Sequence, residues 1–361
     1  MMLTRRWVIC GAAALIAASP ALAIQAPLPA PAKRPLPNIV ILATGGTIAS
    51  TAASPTQLTG YRVTAGIETL ISAVPGLTDI ATISGEQIAN VGSGNITNEH
   101  LLKLAARLNA LLSSAGVDGA VVTHGTDTLE ETAYFLNLTV KSDKPVVVVG
   151  AMRPASATSA DGPLNLYNAV LLAGTAEARG KGVMVMLNDR IGAARFVSKT
   201  NTTGPDTFKS PEQGYLGAIN GGRAYFYSTP LRRHTAASEF DVAGLRELPR
   251  VDILYEYQNS GGELYGALAA LGAKGIVVAG AGNGAMSSVS AKAAEAVGKQ
   301  GIIIARSSRT GSGTVSQSPR GVAAGVVTAD SLNPQKARIL LMLALTKTKD
   351  PARIQDYFNS Y

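Results

Sequence analysis

The chain has 361 residues, of which 46% are hydrophobic and 16% are charged, and its formal net charge is +8. The composition excludes a mostly disordered chain, and the length suits about two domains. A single cysteine and three histidines exclude a disulfide scaffold and leave little room for a metal site, so no metal or organic cofactor is predicted. The positive charge is not gathered in a Lys/Arg-rich run, which predicts a solvated basic surface and no nucleic-acid partner.

The first residues have the pattern of a cleaved export signal. Arg5 and Arg6 precede an apolar stretch, residues 7–18, that is too short to span a bilayer comfortably as a permanent helix. Residues 21–23, Ala-Leu-Ala, form a small-x-small cleavage site. We therefore predict a signal peptide over residues 1–23, for the Sec or twin-arginine route, and a periplasmic or secreted protein with no stable membrane span.

The remaining sequence alternates short apolar runs with helical segments. Near-continuous runs of β-branched residues predict strands that are buried on both faces of a parallel sheet. Strands are expected at 38–43, 119–123, 145–150 and 182–187, with helices at 98–114, 127–140 and 162–178. A second series predicts strands at 251–255, 275–279, 301–305 and 325–328, followed by helices from Asn333 and Pro351.

This alternation predicts a two-domain α/β fold. The larger N-terminal domain is expected to contain a doubly wound, mostly parallel sheet, and the C-terminal α/β domain is expected to be smaller. The predicted boundaries are a signal peptide over 1–23, a Pro-rich tether over 24–37, an N-terminal catalytic domain over 38–225, a polar linker over 226–250 and a C-terminal domain over 251–361.

Polar residues follow the predicted strands at the edge where open parallel sheets bind ligands. They lie at 44–47, 123–128 and 150–153, and a further polar loop lies at 198–203. None of these loops fits a dinucleotide fingerprint, a P-loop or a serine-hydrolase elbow. A threonine hydroxyl becomes a nucleophile when a base takes its proton, and a lysine partly removed from water can do so. Taken singly, the threonines are equally typical of helix caps.

Together these loops resemble the bacterial type II L-asparaginases of the asparaginase/glutaminase family. Residues 43–49 and 123–128 are similar to the two signatures of that family, and 150–154, 199–203 and 332–335 follow in the family's order. The resemblance implies an amidohydrolase that converts L-asparagine to L-aspartate and ammonia, with no cofactor. It also implies a homotetramer whose active sites are shared between subunits.

The resemblance further implies roles for individual residues in catalysis. Thr47 is the expected nucleophile, which forms a β-aspartyl ester, and Tyr61 is expected to orient it or to help remove its proton. Thr126, Asp127 and Lys199 are the expected second group, which positions water and moves protons while the ester is hydrolysed.

Four residues are expected from the same resemblance to bind the substrate. Ser93 would hold the α-carboxylate, Asp127 would face the α-ammonium group, and the carbonyl of Ala151 would contact the amide nitrogen. Asn259 matches a position through which the C-terminal domain of a neighbouring subunit reaches the site.

Two departures from the family pattern concern the α-ammonium group. Gly94 stands where Gln or Glu is usual, and no acidic residue lies between Ser308 and Asp330, where the partner subunit should supply one. We predict a preference for asparagine, because the longer glutamine depends more on such anchors. The alternatives are a glutaminase-asparaginase acting mainly on L-glutamine, a non-catalytic periplasmic amino-acid-binding protein and a glutaminyl-tRNA amidotransferase subunit.

Overall fold

The computed structural model describes residues 35–317, 321 and 325–361, of which 36–361 belong to one compact unit. The predicted signal peptide over 1–23 and nearly all of the predicted tether over 24–37 lie outside the described residues. Among the described residues, no helix has the combination of length and hydropathy that a membrane crossing requires.

The N-terminal part of the chain is built around an eight-stranded sheet. This part of the chain has twelve strands, which are in chain order β1 (Asn38–Gly45), β2 (Ser50–Thr51), β3 (Arg62–Val63), β4 (Thr82–Val91), β5 (Gly119–Thr123), β6 (Val146–Val149), β7 (Val183–Leu187), β8 (Arg190–Ala193), β9 (Ser198–Lys199), β10 (Phe208–Lys209), β11 (Gly217–Asn220) and β12 (Arg223–Phe226). Four of them form two separate short hairpins, β2 with β3 and β9 with β10, and the other eight form the sheet. The spatial order in the sheet is β12-β11-β8-β7-β6-β5-β1-β4. The strands β4, β1, β5, β6 and β7 pair in parallel, and β8, β11 and β12 pair antiparallel.

Helices cover both faces of this sheet. They are α1 (Ile67–Ser72), α2 (Leu77–Ile80), α3 (Asn98–Leu112), α4 (Leu129–Thr139) and α5 (Gly162–Ala173). Because successive side chains of a strand point to opposite faces, β1 contributes to two separate cores. Val40 and Leu42 pack in the cluster with α3 and α4, whereas Ile39 and Ile41 pack with α1 and α5. The sheet is therefore doubly wound.

The C-terminal part forms a smaller parallel sheet of four strands. In chain order the elements are β13 (Val251–Tyr255), α6 (Glu263–Ala270), β14 (Gly275–Gly280), α7 (Ser288–Gly298), β15 (Ile303–Ser308), β16 (Val326–Thr328), α8 (Pro334–Ala344) and α9 (Pro351–Ser360). Helix α8 begins at Pro334, and Asn333 is its N-cap residue. The Asn333 side chain accepts a hydrogen bond from the backbone amide of Lys336. Its apolar side chains share one core with α3 and α4, so α8 connects the two sheets.

The predicted fold class is confirmed, with differences at the sheet edges. The sequence pattern did not predict β4, which lies at the edge of the sheet and alternates exposed and half-buried residues instead of forming an apolar run. Nor did it predict β8, β11 and β12 at the opposite edge. The helix expected over 162–178 ends at Ala173, and a short 3₁₀ turn follows at Ala176–Ala178. Beyond β12, residues 227–250 contain one short 3₁₀ turn, Thr235–Ala237, and no strand.

Candidate active site

The carboxyl ends of four parallel strands meet at one edge of the large sheet. Strands β6, β5, β1 and β4 are neighbours, and each runs into one of the loops that contain the predicted site residues. The chain places β4 on one side of β1 and β5 on the other. Open α/β sheets bind ligands in the crevice at such a reversal of strand order.

Glycines bring three of these loops into direct contact. Gly46 has a φ of 84°, and a Cβ added there would lie 2.2 Å from the Gly125 Cα. A Cβ added at Gly125 would lie 2.9 Å from the side chain of Ser93. Side chains at either glycine would force the loops apart. The two glycines therefore hold the loops that carry Thr47, Thr126 and Ser93 around one point.

Thr47 and Tyr61 form the first pair of hydroxyl groups. Thr47 opens a 3₁₀ turn directly after the glycines and is 7% exposed, and its Oγ1 lies 2.9 Å from the Tyr61 Oη. Tyr61 directly precedes β3, which pairs with β2, so the short hairpin folds Tyr61 back over Thr47. The structure therefore brings together the predicted nucleophile and its predicted partner.

Thr126, Asp127 and Lys199 form the second group. The Lys199 Nζ donates to the Thr126 Oγ1 at 3.0 Å and to the Asp127 Oδ1 at 2.6 Å. The lysine side chain is 15% exposed and that of the aspartate is 78% exposed, so the ammonium is held largely away from water. Strand β9 carries Lys199 and pairs with β10 in a two-stranded hairpin. The structure brings these three side chains together.

A cleft of about 370 Å³ lies between the two groups. This volume suits a small polar molecule. Its lining residues are Leu58, Thr59, Gly60, Tyr61, Thr126, Asp127, Met152, Arg153, Lys199, Thr202 and Thr203. Among the described residues, no group of three or more His, Cys, Asp or Glu side chains could hold a metal ion.

The loop that contains Ala151 is fixed by an aspartate that the sequence analysis did not single out. The Asp161 Oδ2 accepts a hydrogen bond from the Met152 amide at 2.9 Å, and its Oδ1 accepts one from the Arg153 amide at 2.9 Å. The Asn165 side chain donates to the Gly150 carbonyl at 3.1 Å. Ala151 is fully buried between these anchors. Asp161 lies ten residues further along the chain, and no motif in the sequence connects it to this loop.

The other two predicted binding residues differ in their placement. Ser93 is buried beside Gly125, and its carbonyl accepts a hydrogen bond from the Thr128 hydroxyl at 2.9 Å, so it belongs to the loops around the cleft. Asn259 lies in an exposed turn after β13 with a φ of 63° and is not among the residues that line the cleft. Within the described part of this chain, no hydrogen bond joins the Asn259 side chain to another predicted site residue.

Two further ionisable residues, His124 and Asp330, have side chains that are bonded to neighbouring protein groups. Burial lowers the pKa of His124 to about 4, against an opposing hydrogen bond with the Gly125 carbonyl, and its other ring nitrogen lies 2.9 Å from the Thr132 hydroxyl. Asp330, the first acid after the gap in the family pattern, accepts from both Arg195 and Arg232 at 2.9 Å. Neither residue is available as a base or an ammonium ligand in the cleft.

Two hydroxyl groups beside a small cleft, one of them bonded to a lysine, suit acyl transfer from an amide to water. This site on a two-domain α/β fold is typical of an amidohydrolase. The chain belongs to the asparaginase family. The asparaginase N-terminal domain matches residues 38–232, and the glutaminase/asparaginase C-terminal domain matches residues 250–358.

Several relatives match over almost the whole chain. L-asparaginase 2 of Bacillus subtilis (strain 168) is 59% identical over 91% of this chain and 88% of its own. The glutaminase-asparaginase of Pseudomonas fluorescens biotype A is 50% identical over 91% of this chain and 92% of its own. The crystal structure of the probable cytoplasmic L-asparaginase from Campylobacter jejuni is 52% identical, with a TM-score of 0.88, over 90% of this chain and all of its own.

These matches confirm the predicted resemblance to bacterial type II asparaginases and the prediction of an amidohydrolase of the L-asparaginase type. The alternative of a non-catalytic amino-acid-binding protein is wrong.

The predicted periplasmic or secreted location is contradicted by the comparison with solved structures. The Campylobacter jejuni relative, which covers 90% of the chain, is described as a probable cytoplasmic enzyme. The prediction depended on two arginines, a short apolar run and an Ala-x-Ala site, all of which lie outside the described residues.

Proposed function

We propose that this chain hydrolyses the side-chain amide of L-asparagine through Thr47, with release of ammonia and L-aspartate. The observation that carries the proposal is that two threonine hydroxyls are each bonded to an ionisable side chain, Tyr61 or Lys199, that lines one cleft. Thr47 is bonded to Tyr61 at 2.9 Å, and Thr126 is bonded to Lys199 at 3.0 Å. Two such groups suit a reaction in two steps, in which an ester forms and is then hydrolysed.

In the first step the Thr47 Oγ1 attacks the side-chain amide carbon of the substrate. Tyr61 orients the hydroxyl or takes up its proton. Backbone groups near Thr126 stabilise the negative charge that develops on the amide oxygen. The carbon–nitrogen bond then breaks, and the nitrogen takes up a proton. Ammonia is released, and a β-aspartyl ester remains on Thr47.

In the second step a water molecule attacks the ester carbonyl. Thr126 and Lys199 position this water and move its proton, while Asp127 stabilises the charged form of the lysine across their 2.6 Å contact. The ester bond breaks, the Thr47 oxygen regains a proton, and L-aspartate leaves.

The substrate's charged groups are held by the loops around the cleft. Ser93 is the proposed contact for the α-carboxylate, Asp127 for the α-ammonium and the Ala151 carbonyl for the amide nitrogen. The exposed position of the Asp127 carboxylate, at 78%, supports a second contact beyond Lys199. The assay that tests the proposed function is ammonia release from L-asparagine and L-glutamine by the folded protein. Release from asparagine supports the proposal, and release from neither substrate would overturn it.

Gly94 is expected to weaken binding of the α-ammonium group. A hydrogen bond to a charged group contributes about 1.5–3 kcal/mol, so a lost acceptor raises KM by roughly tenfold or more. A Cβ at Gly94 would meet no atom within 4 Å, so a side chain can start there without a clash. We expect Gly94→Gln to lower KM for both substrates by about tenfold, with the larger gain for L-glutamine. The measurement is steady-state ammonia release.

Gly116→Gln is the control for this variant, because a Cβ at Gly116 would make only an ordinary contact, 3.6 Å from the Ser114 Oγ, and Gly116 lies in an exposed loop and does not line the cleft. The control should leave both KM values unchanged. No gain in glutamine use by Gly94→Gln would contradict the proposed preference for asparagine.

A homotetramer with active sites shared between subunits is also proposed. It would allow Asn259, which is exposed and does not line the cleft of its own chain, to reach the site of a neighbour. Exposed aromatic side chains beside it, Tyr255 at 58% and Tyr257 at 56%, support an interface there. We expect sedimentation equilibrium to give four times the chain mass, and Asn259→Asp to raise KM without changing that mass. A monomer with full activity would contradict the proposal.

A further inference from the structure

A polar cluster with a buried ion pair at its centre lies beside the strand that carries Lys199. We call it the Glu130 cluster, and it consists of Glu130, Ser198, Asn333, Gln335 and Lys336. Glu130 belongs to the first turn of α4, three residues after Asp127, and Ser198 precedes Lys199 in β9. The other three residues come from the N-terminus of α8, in the C-terminal part of the chain.

Every member of the Glu130 cluster bonds to another member. The Glu130 Oε2 accepts from the Ser198 hydroxyl at 2.7 Å and from the Asn333 amide group at 2.9 Å, and its Oε1 accepts from Gln335 at 3.1 Å. Asn333 also donates to the Ser198 Oγ at 2.9 Å. The Lys336 Nζ lies 3.4 Å from the Glu130 Oε2. The serine hydroxyl is therefore fixed from two directions.

The charges in the cluster are removed from water. Glu130 is 4% exposed and Lys336 is 1% exposed. Burial alone would raise the pKa of Glu130, but the Lys336 charge and the hydrogen bonds from Ser198, Gln335 and Asn333 together hold it below its ordinary value. Burial lowers the pKa of Lys336 to about 8, and the Glu130 carboxylate opposes this shift. A buried pair that keeps this many partners is typical of a site where one geometry is specified.

The Glu130 cluster holds β9 through the Ser198 side chain and through backbone carbonyls that precede the strand. Successive side chains of a strand point to opposite faces, so Ser198 points into the cluster while Lys199 points to Thr126 and Asp127. Lys336 additionally donates to the carbonyl oxygens of Val197 and Arg195, which precede the strand. The strand is thereby fixed from the side opposite the cleft.

We propose that Glu130 and Lys336 are positioning residues that set the Lys199 amine against Thr126, acting through Ser198. The inference depends on the proposed function, in which Lys199 takes part in ester hydrolysis. It means that the C-terminal part of the chain, through α8, sets the geometry of a catalytic group in the N-terminal part. Displacing a catalytic group by about 1 Å can reduce a rate by roughly 100-fold.

The test removes the hydrogen bond between Ser198 and Glu130 and leaves the ion pair of Glu130 and Lys336 in place. Ser198→Ala removes the hydroxyl that joins Glu130 to β9. We expect kcat for ammonia release from L-asparagine to fall by about tenfold or more, KM to change by less than about threefold, and the pH profile of kcat to shift. Ser198→Thr restores the hydroxyl and should return kcat to within about threefold of the original. A Ser198→Ala enzyme with unchanged kcat and pH profile would overturn the inference.

Two more variants show whether an effect on kcat comes from the position of Lys199. Asp330→Asn tests for a loss of stability, and Lys199→Met tests the proposed role of Lys199 itself. Asp330→Asn weakens the contacts of Asp330 with Arg195 and Arg232, which also join the two parts of the chain, and should lower the melting temperature without changing kcat. In a Lys199→Met background, Ser198→Ala should cause no further loss of kcat. If Lys199→Met keeps full activity, the proposed role of Lys199 fails. If Lys199→Met is inactive and Ser198→Ala is fully active, only the positioning inference fails.

Discussion

Replacing Thr47 with alanine is expected to reduce ammonia release from L-asparagine by about 10⁴-fold or more, because the nucleophile of the first step is lost. The fold should tolerate the change. The Thr47 side chain is buried, but its hydroxyl bonds to Tyr61, which is half-buried at the edge of the cleft. Thr47→Ser keeps an oxygen at the same place and should retain activity far above that of the alanine variant. The measurement is the initial rate of ammonia release at saturating substrate, with circular dichroism to show that each variant is folded.

Thr51→Ala is the matched control for the loss of a hydroxyl in this region. Thr51 is exposed in β2, four residues beyond Thr47, and its hydroxyl bonds to Thr64 at 2.9 Å, outside the cleft. It should keep the original rate. A folded Thr47→Ala enzyme with a rate near that of the original would show that another group attacks the amide.

Replacing Lys199 with methionine is expected to reduce kcat by about 10²–10⁴-fold, the usual contribution of general acid–base catalysis. The change removes the ammonium that donates to Thr126 and Asp127 but keeps an unbranched side chain in β9. Because the lysine acts on the water that hydrolyses the ester, the second step should slow more than the first. Stopped-flow measurement of the first turnover should therefore show a burst of ammonia followed by a slow steady rate.

Lys209→Met is the matched control. Lys209 lies in β10, opposite Ser198 in the same hairpin, and its ammonium pairs with Asp206 at the surface. Exposed ion pairs contribute little to stability, so this variant should have the original kcat. Equal losses in the two variants would mean that the hairpin, and not the Lys199 amine, is what catalysis requires.

The sequence predicted the parallel core of the fold because those strands are buried on both faces. The apolar run 119–123 can satisfy its surroundings only inside a covered sheet, and this strand has the predicted bounds with every residue buried. The edge strand β4 carries Gly85 and alternating exposure, so its sequence has no apolar run. Its place is set by pairing with β1 and not by its own composition.

The site residues divide in a similar way. Thr47, Thr126 and Asp127 were predictable because they follow predicted strands, and parallel strands bring their carboxyl ends to one edge. Ser93 was expected only from the family resemblance, because it follows β4, which the sequence pattern did not predict. Glu130 and Lys336 were not, because they lie 206 positions apart and neither belongs to a motif with a known spacing. Their meeting depends on how α8 packs against α4, which is a property of the tertiary structure. Asn259 remains a prediction that depends on a neighbouring subunit.

Attack by Thr47 on the substrate amide is tested most directly by identifying the residue that carries the aspartyl group during the reaction. The Lys199→Met enzyme is mixed with L-asparagine, quenched in acid within the first turnover, digested and mapped by mass spectrometry. We expect a β-aspartyl ester on the peptide that contains Thr47, and no such ester in the Thr47→Ala/Lys199→Met double variant. An aspartyl group on a different residue, or aspartate formation with no acylated peptide at any time, would contradict attack by Thr47.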